Sequence, residues 1–429
     1  MARVPAEAEA VVIGGGAVGL ACAYALARAG VGTVVLERDH VGAGASAGSA
    51  CMVCPSHADR TASPASLRTG LRFLLDPKAP LKLRPRPSEL GWVARFTAAP
   101  LSEARAEQGT RLLRRLAERS TELHVAWGDE LGTGLAMNGT LNLWAGEGAA
   151  AGQAAVVDEA RHAGLAIEAL DAAGIAALEP SVRDATHGAL APGDGHVDSL
   201  RLTECLAAGA RAHGADVVEG VEVVRIDRTG TRVRLITTAG TVAAERVVVA
   251  AGVWTRRFAD DVGVALPITP AKGYHAEFEG AVADAQRPIY FSDAHCVATP
   301  LDGRLRIAGT LEIGTDPFAV DLRRVDALRE AGERYLGRLP EPSGIWLGQR
   351  PLTSDSMPLV GPLPGDQRVI IASGHGTLGI TLAPVTGELV AGHVTGELDA
   401  PDPLLDPARF GGLSGVRAAA SRRRAPAAR

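Results

Sequence analysis

Three glycines near the start of the chain, followed at a fixed distance by an acid, have the spacing of a dinucleotide site. Gly14, Gly16 and Gly19 form G-x-G-x-x-G, and Glu37 follows eighteen positions after the last glycine. Such glycines let the backbone turn tightly and approach a pyrophosphate, while the acid accepts a hydrogen bond from a ribose hydroxyl. The spacing predicts phosphate and ribose binding. The alternative is a glycine-rich turn in an ordinary α/β sheet.

One arginine far along the chain is the first candidate for binding a carboxylate. Arg350 lies in the sequence Gln349-Arg-Pro351, and its planar guanidinium suits recognition of a carboxylate through two parallel hydrogen bonds. Thr353 follows closely and is expected to brace the turn. The alternative is an arginine at the surface or in an ion pair.

A second glycine-rich turn precedes a predicted helix near the end of the chain, in the sequence SGHGTLGIT at 373–381. The helix is predicted to begin at Ile380 or Thr381, and a helix N-terminus stabilises negative charge placed against it. His375 lies inside the turn, where we expect it to hydrogen-bond the backbone or a bound group rather than act as a base. The alternative is an ordinary helix cap.

The elements that must position the first glycine turn form one βαβ unit. An apolar, β-branched run at 11–13 predicts a buried parallel strand, and small residues from Ala17 to Ala29 predict a helix. A second apolar run, 33–36, predicts the strand that delivers Glu37. The strand, the helix and the acid together favour dinucleotide binding over an ordinary turn.

Hydrophobic periodicity organises the rest of the chain into an α/β fold with an interleaved second lobe. The nucleotide-binding elements lie at both ends and in the middle of the chain, and the pieces between them form an α+β lobe with its own sheet. Helices are predicted within 60–128 (including Leu67–Leu75) and at 150–165, 171–178, 199–213, 321–339 and 380–394. Strands are predicted at 133–144, 217–226, 233–238, 241–251, 267–278, 289–299, 305–310 and 368–373, with a loop at 189–197.

Composition excludes several classes of protein. A chain of 429 residues with a net charge of −5 exceeds one ordinary domain and has no basic face for nucleic acid. Neither a targeting segment nor an apolar stretch of about 18 residues is visible, so we expect no transmembrane segment. Five cysteines suit a reduced protein. Cys51 and Cys54 form C-x-x-C near His57, but without a second ligand pair we expect buried thiols and no metal.

The motifs together resemble the FAD-dependent amino-acid oxidoreductases of the D-amino-acid oxidase, glycine oxidase and D-amino-acid dehydrogenase family, over roughly residues 8 to 400. The segment PSHADRTASPASLRTGLRFLLDP at 55–77 is most similar to the dehydrogenase branch. The resemblance implies a Rossmann-like FAD-binding domain and an antiparallel-sheet substrate domain. It rests on IGGGAVGL with Glu37, GAGAS at 42–46, GHVD at 195–198, VVVAAGVWT at 247–255, PAKGY at 270–274, GQRPLTSDSMPLVGP at 348–362 and ASGHGTLGITLAPVTGELVA at 372–391.

The resemblance implies FAD as the cofactor. Covalent-flavin relatives carry a cysteine in the block at 349–352, which here has none, so the FAD is expected to be non-covalent. The expected cofactor residues are Gly14, Gly16, Ala17, Val18, Gly19, Glu37, Arg38, Gly44, Ala45, Ser46, Val223, Ala251, Gly252, Trp254, Gly374, His375, Gly376, Leu378, Gly379, Ile380 and Thr381.

The resemblance also implies residues that touch the substrate. The arginine of the R-P-x-T block binds the substrate carboxylate in the family, and a strand tyrosine, matched by Tyr290, lies over the substrate. At a second polar position this sequence departs from the family and offers His295 or Cys296. Strand packing and a surface histidine are the alternatives. The expected catalytic set is Arg350, Tyr290, His295, Tyr274 and His57.

The predicted function is oxidation of the C–N bond of a D-amino acid, or of a cyclic D-imino acid such as hydroxy-D-proline. Hydride passes to flavin N5, and the resulting imino acid hydrolyses to an oxo acid or cyclises. The electron acceptor is expected to be a quinone, a carrier protein or oxygen. Two alternatives stay open: an amine oxidase of glycine or sarcosine type that uses oxygen, and a non-catalytic FAD-binding subunit.

Domain bounds and location follow from the same interpretation. A cytoplasmic location is expected, with peripheral contact at the inner face of the membrane as an option. The FAD-binding domain is predicted at 1–56, 190–262 and 346–411, the substrate domain at 57–189 and 263–345, and a disordered tail at 412–429.

Overall fold

The computed structural model describes residues 3–61, 80–99, 102–280 and 285–412. The helical spacing at Leu67–Leu75 and the predicted tail from residue 413 onward lie outside these ranges. The chain divides into two compact units. Unit 1 comprises Met1–Ala43, Thr203–Thr269 and Pro351–Arg429, and unit 2 comprises Gly44–Leu202 and Pro270–Arg350.

The strands form one sheet in each unit and a two-stranded ribbon in unit 2. In chain order they are β1 Glu7–Ile13, β2 Thr33–Leu36, β3 Met52–Val53, β4 Leu81–Leu83, β5 Thr140–Trp144, β6 Glu168–Asp171, β7 His187–Ala191, β8 Gly195–His196, β9 Asp216–Val218, β10 Val223–Asp227, β11 Val233–Thr237, β12 Gly240–Val249, β13 Ile268–Glu279, β14 Ile289–Phe291, β15 Cys296–Leu301, β16 Arg304–Ile313, β17 Gly344–Thr353, β18 Leu359–Leu363 and β19 Asp366–Ser373.

Nine α-helices lie within the described residues. They are α1 Ala17–Arg28, α2 Leu90–Ala98, α3 Glu103–Leu131, α4 Ala149–His162, α5 Ala172–Leu178, α6 Ser199–Ala212, α7 Ala259–Val262, α8 Leu322–Leu336 and α9 Ala383–Thr395. Short 3₁₀ helices occur at Pro55–His57, Pro87–Glu89, Gly252–Phe258 and Pro407–Phe410. No helix among the described residues has both the length and the apolar composition required to cross a lipid bilayer.

The sheet of unit 1 is built around β1, which runs parallel to β2 on one side and to β12 on the other. β12 is long enough to pair with β11 through its first half and with β19 through its second half. Apolar side chains from these strands form a buried core, and α1 packs against α9. The βαβ unit predicted from the glycine turn is therefore present, with α1 following the turn directly.

The sheet of unit 2 has the strand order β17-β13-β16-β15-β14-β5-β7-β6, and β4 pairs with β16. One face of this sheet packs on α8 through a core of buried aromatic and aliphatic side chains, including Phe278, Phe291 and Tyr335. The rings of Phe291 and Tyr335 stack 4.7 Å apart. The other face lacks this core and carries polar residues at its centre.

Several predicted elements differ from the observed ones. The strand predicted at 217–226 is two strands, because the chain turns at Gly220, which has a φ of +74° and donates to the carbonyl of Asp39. The predicted loop at 189–197 contains the end of β7 and all of β8, and the strand predicted at 133–144 begins only at Thr140. The last helix begins at Ala383, three residues after the predicted Ile380, with Pro384 in its first turn.

Candidate active site

The first glycine turn has the close packing expected of a dinucleotide cradle. Gly14 has a φ of +111°, and a Cβ there would lie 2.6 Å from the carbonyl oxygen of Ala250, so only glycine fits. Gly16 precedes α1 without a side-chain cap, and the first turn of that helix has no acidic residue. A phosphate is the ligand that such a helix terminus favours, because the helix dipole is positive there.

Glu37 lies at the end of β2, where it is held beside the glycine turn. Its Oε2 accepts a hydrogen bond of 2.6 Å from the backbone N–H of Gly15, and its Oε1 accepts one of 2.9 Å from Asp39. The carboxylate therefore has a fixed orientation at the carboxyl edge of the parallel strands, where dinucleotide ribose groups bind.

Further predicted cofactor residues of unit 1 contact neighbouring residues or the core. The guanidinium of Arg38 lies 3.8 Å from the ring centre of Trp254, and the carbonyl of Gly252 accepts a hydrogen bond from Ser373. The side chain of Val223 packs into the buried core. The N–H of Val221, a residue that the sequence analysis did not name, donates to the carbonyl of Glu37 at 2.8 Å. The turn at Gly220 brings Val221 there, and that turn has no strong sequence signal beyond the glycine.

The C-terminal glycine turn packs closely within unit 1. His375 pairs with Leu352, and the N–H of Gly376 donates to Pro351. Thr386 Oγ1 donates to the carbonyl of Leu382, so it accepts from His375 Nε2 at 2.9 Å. Burial lowers the pKa of His375 to about 4, and the ring is neutral at pH 7. The predicted residues Leu378, Gly379, Ile380 and Thr381 lie in the turns between Gly376 and α9.

The loop that contains Gly44, Ala45 and Ser46 belongs to unit 2 and is anchored at its far end. Arg306 Nη1 donates to the carbonyls of Ala47 and Ser49 at 3.2 and 3.0 Å. Arg306 is in turn paired with Glu277, whose Oε1 lies 2.6 Å from Nη2. The sequence analysis missed this ion pair between buried Arg306 and half-buried Glu277, because nothing in the pattern of a strand shows which charged residue faces a loop.

Of the five cysteines, Cys51 and Cys54 form the C-x-x-C sequence, and both are buried. All five lie in the described part of the chain, and none forms a disulfide. The Cys51 thiol lies 3.2 Å from Arg306 Nη1. Across residues 3–61, 80–99, 102–280 and 285–412, no group of three His, Cys, Asp or Glu side chains could hold a metal ion.

Strand register defines a polar face on the sheet of unit 2. Tyr290 pairs with Asn142 and Val297, Val297 with Ala308, and Ala308 with His275, so these five side chains share one face. The residues that alternate with them are core residues, namely Leu141, Leu143, Ile289, Phe291, Cys296, Ala298, Ile307, Ala276 and Tyr274. We call the side with Asn142, Tyr290, Val297, Ala308 and His275 the polar face.

Arg350 lies on β17 at one end of the polar face and crosses the neighbouring strand. A Cβ on Gly273 would lie 2.1 Å from Arg350 Nη1, so the guanidinium rests on the glycine backbone. Nη1 donates to the carbonyl of Thr310 at 2.9 Å. The strands β13 and β16 have an irregular register here, and Thr310 has a φ of +64°.

The charge of Arg350 has no acidic partner among the residues that the structure describes. Burial lowers the pKa of Arg350 to about 10, which still leaves the guanidinium charged at pH 7. A half-buried cation without an acid favours an anionic ligand, because pairing offsets the loss of hydration. The alternative of a structural ion pair therefore finds no support in the described residues.

Tyr290, His295 and His57 lie together at the other end of the polar face. The rings of His57 and Tyr290 are 5.4 Å apart at an angle of 57°, and the Tyr290 hydroxyl lies 3.4 Å from His295 Nδ1. Burial raises the pKa of Tyr290, so its phenol keeps its proton. His295 is exposed and has a φ of +50°.

Tyr274 does not join this group. It lies on the core face, only 1% exposed, and its hydroxyl is bound by the segment that leads into α8. It donates to the carbonyl of Ala319 at 3.3 Å and accepts from the N–H of Asp321 at 3.2 Å. The neighbouring Lys272 pairs with Glu312 at 3.2 Å.

Two features of the polar face were missed by the sequence analysis. Asp194 is fully buried and accepts hydrogen bonds from Ser56, which also contacts His57. Trp346 stacks on His275 with ring centres 5.5 Å apart. The aspartate lies 137 positions after His57, and no local pattern joins residues so far apart in sequence.

Comparison with known proteins agrees with this architecture. The family profile of the DAO type, described as FAD dependent oxidoreductase, matches residues 9–392. The chain is 32% identical over 417 residues to a D-amino acid dehydrogenase of Rhizobium johnstonii, covering 92% of this chain and 98% of that protein. It is 34% identical over 417 residues to one of Methylobacterium nodulans, covering 90% and 94% respectively.

Solved structures show the same fold. The crystal structure of glycine oxidase from Geobacillus kaustophilus superposes with a TM-score of 0.75 at 26% identity, covering 95% of this chain and 98% of that one. The L-proline dehydrogenase from P. horikoshii has a TM-score of 0.74 at 19% identity with the same coverage. The glycine turn at Gly14 and the sheet of unit 2 fit the family whose profile matches residues 9–392. This chain belongs to the DAO family of FAD-dependent oxidoreductases.

Proposed function

We propose that the protein is a D-amino-acid dehydrogenase, or a close relative that takes a cyclic D-imino acid. The observation that carries the proposal is the guanidinium of Arg350, charged, half-buried and without an acidic partner among the described residues. An amino acid supplies the missing carboxylate, and the fork of an arginine holds it in one orientation. The names of the 30–34% identical relatives support the choice of D-amino acids.

We also propose that unit 1 binds FAD without a covalent bond and that the polar face of unit 2 binds the substrate. The cradle at Gly14 and the fixed carboxylate of Glu37 fit the ADP half of the cofactor. Bound FAD supplies the acceptor for the hydride that leaves the substrate carbon. The remaining sequence-predicted cofactor residues, including Gly44–Ser46, stay predictions.

The residues of the polar face then orient the substrate. Arg350 reaches β16, and β14 with Tyr290 lies two strand spacings away, which is roughly 10 Å. That distance accommodates a small amino acid with its carboxylate at Arg350 and its amine towards Tyr290. The protein contributes orientation, since a displacement of about 1 Å can reduce the rate about 100-fold.

We propose a quinone or a carrier protein as the electron acceptor and a cytoplasmic location with optional contact at the membrane surface. The names of the relatives that are called dehydrogenases support the choice of acceptor. A second candidate, an oxygen-using oxidase of glycine type, is favoured by the similarity to the Geobacillus glycine oxidase at 26% identity.

The experiment is anaerobic reduction of the flavin in the purified holoenzyme by a panel of D-, L- and cyclic amino acids. We expect D-amino acids or a cyclic D-imino acid to bleach the flavin absorbance, and a quinone analogue to restore it faster than oxygen. Bleaching by glycine or sarcosine alone, with rapid re-oxidation by oxygen, would support the oxidase. A flavin that no amine bleaches would contradict both.

A further inference from the structure

A short hydrogen-bonded chain leads from a fully buried acid to the histidine on the polar face. Ser56 Oγ lies 2.6 Å from Asp194 Oδ2 and 2.8 Å from His57 Nδ1. The backbone N–H of Ser56 also donates to Asp194 Oδ1 at 3.1 Å. The acid, the serine and the histidine all belong to unit 2 and make one connected arrangement.

The hydrogen bonds decide which nitrogen of His57 carries the proton. An ionised carboxylate only accepts, so Ser56 gives its single hydroxyl proton to Asp194. The same oxygen must then accept from His57 Nδ1–H. The neutral ring consequently has its proton on Nδ1, and Nε2 is left as a base.

The position of His57 places this base beside the expected substrate. Its ring packs on Tyr290, and it also interacts with Asn142, which shares the polar face. The guanidinium of Arg350 reaches from β17 to Thr310 on β16, and β16 lies two strand spacings from β14 and Tyr290. A substrate whose carboxylate is bound at Arg350 therefore directs its amine to the end of the face where His57 lies.

We propose that His57 accepts a proton from the substrate ammonium and that Ser56 and Asp194 position it for this task. This inference rests on the proposed function. An N–H bond of the ammonium breaks, its electron pair stays on nitrogen, and the proton joins Nε2. When the hydride leaves the substrate carbon for the cofactor, that electron pair forms the C=N bond of the imino acid. His57 then returns its proton to water, because its side chain is 34% exposed.

The electrostatic surroundings suit a base that works near neutral pH. Burial disfavours the charged ring, but Asp194, Asp59 and Asn142 outweigh it and raise the pKa of His57 above its usual value. Arg114, on α3, pairs with Asp59 at 2.8 Å and moderates that charge. Tyr290 keeps its proton and is neutral, and partial desolvation lowers the pKa of the nearby His295, so both side chains are uncharged at pH 7.

The test is the pH dependence of anaerobic flavin reduction by a D-amino acid under kcat/KM conditions, from pH 6 to pH 10. We expect His57→Gln to lower the rate about 100-fold at pH 7, the usual scale of general base catalysis. The loss should shrink towards pH 10, where the amine loses its proton to water unaided. His162→Gln, at an exposed histidine on α4, is the matched control and should follow the wild type.

A purely structural role for His57 would lower the rate equally at every pH, and parallel profiles would overturn the proposal. Asp194→Asn provides a second test, because it keeps the shape and removes the charge that raises the pKa of His57. We expect it to move the acid limb of the profile, and the His57 ring titration seen by NMR, to lower pH. An unmoved limb would also contradict the proposal.

The result for the wild type distinguishes a failure of the proposed function from a failure of the proposed role of His57. A wild-type flavin that no D-amino acid reduces contradicts the proposed function. A wild-type flavin that is reduced, with variants that stay parallel to it, contradicts only the role of His57. Flavin absorbance measured before each reaction shows that every variant retains its cofactor.

Discussion

The guanidinium of Arg350 rests on Gly273: a Cβ at position 273 would lie 2.1 Å from Nη1 and 2.5 Å from Cζ. The glycine lies in β13 where its register with β16 is irregular, and the carbonyl of Thr310 binds the same guanidinium. Irregular strand pairing is common beside active sites, where it re-aims a side chain. Here it gives the arginine its path across the sheet.

Gly273→Ala should therefore weaken substrate binding without removing the charge. The new methyl group displaces the flexible end of Arg350, so we expect KM to rise about 10-fold, against about 100-fold for Arg350→Ala, on the scale of a charge-assisted hydrogen bond. Steady-state kinetics and the flavin spectrum measure the two effects separately. Gly91→Ala is the matched control, because a Cβ there meets nothing within 4 Å. An unchanged KM in Gly273→Ala would remove Arg350 from the substrate site.

Glu37→Ala should weaken FAD binding, since it removes the carboxylate that accepts from Gly15 and that we propose as the acceptor for the ribose. We expect the Kd for FAD to rise about 10-fold, the size of one hydrogen bond to a charged group. Titration of the apoprotein with FAD, followed by flavin fluorescence, gives the Kd. Glu9→Ala is the matched control: Glu9 also accepts a backbone N–H, from Gly32 at 2.8 Å, but lies on β1 before the glycine turn. Equal values for the two variants would place the ribose elsewhere.

The βαβ element of unit 1 could be predicted from the sequence, whereas the polar face of unit 2 could not. The βαβ unit around Gly14 was predictable because its strand, turn, helix and acid are contiguous and each has a local signature. The polar face was not, because it exists only through the register of five strands that are distant in sequence. Motifs indicated Arg350 and Tyr290 as candidates, and both lie on this face. Asp194 and Trp346 carry no local pattern that indicates a site.

The same distinction explains the wrong boundaries. The start of α9 was predicted at Ile380, but the turns after Gly376 continue to Leu382, and hydrophobicity does not separate a buried turn from a buried helix. The strand predicted at 217–226 was an apolar run that the turn at Gly220 splits between two partners. Which partner a segment pairs with decides where a strand ends, and that pairing exists only in the folded chain.

Arg324→Ala should destabilise the protein strongly. Arg324 and Glu312 are each about 1% exposed and form an ion pair of 2.6 Å between α8 and β16. Without Arg324, Glu312 keeps only Lys272 as a cationic partner, at 3.2 Å, and a buried side chain is lost. We therefore expect the free energy of unfolding to fall by about 3 kcal/mol, the lower end of the range for a broken buried pair. Urea unfolding followed by circular dichroism measures it. Arg323→Ala, whose side chain is 64% exposed, is the control and should cost less than about 1 kcal/mol. Similar losses of unfolding free energy in both variants would show that the buried ion pair stabilises the protein no more than the exposed one.

Acidification should destabilise the protein through its buried histidines. Burial lowers the pKa of His375 and of His275 to about 4, from an ordinary value near 6.5. Below pH 6.5 these histidines bind a proton in the unfolded chain but not in the folded chain. The free energy of unfolding therefore falls as the pH drops from 6.5 towards 4. Each such histidine contributes at most about 1.4 kcal/mol per pH unit. His375→Asn should flatten the dependence by up to that amount in urea unfolding at pH 7, 6 and 5. His162→Asn, at an exposed site, should keep the wild-type slope. If His375→Asn also keeps the wild-type slope, His375 binds its proton equally in the folded and unfolded states and is not held neutral by the fold.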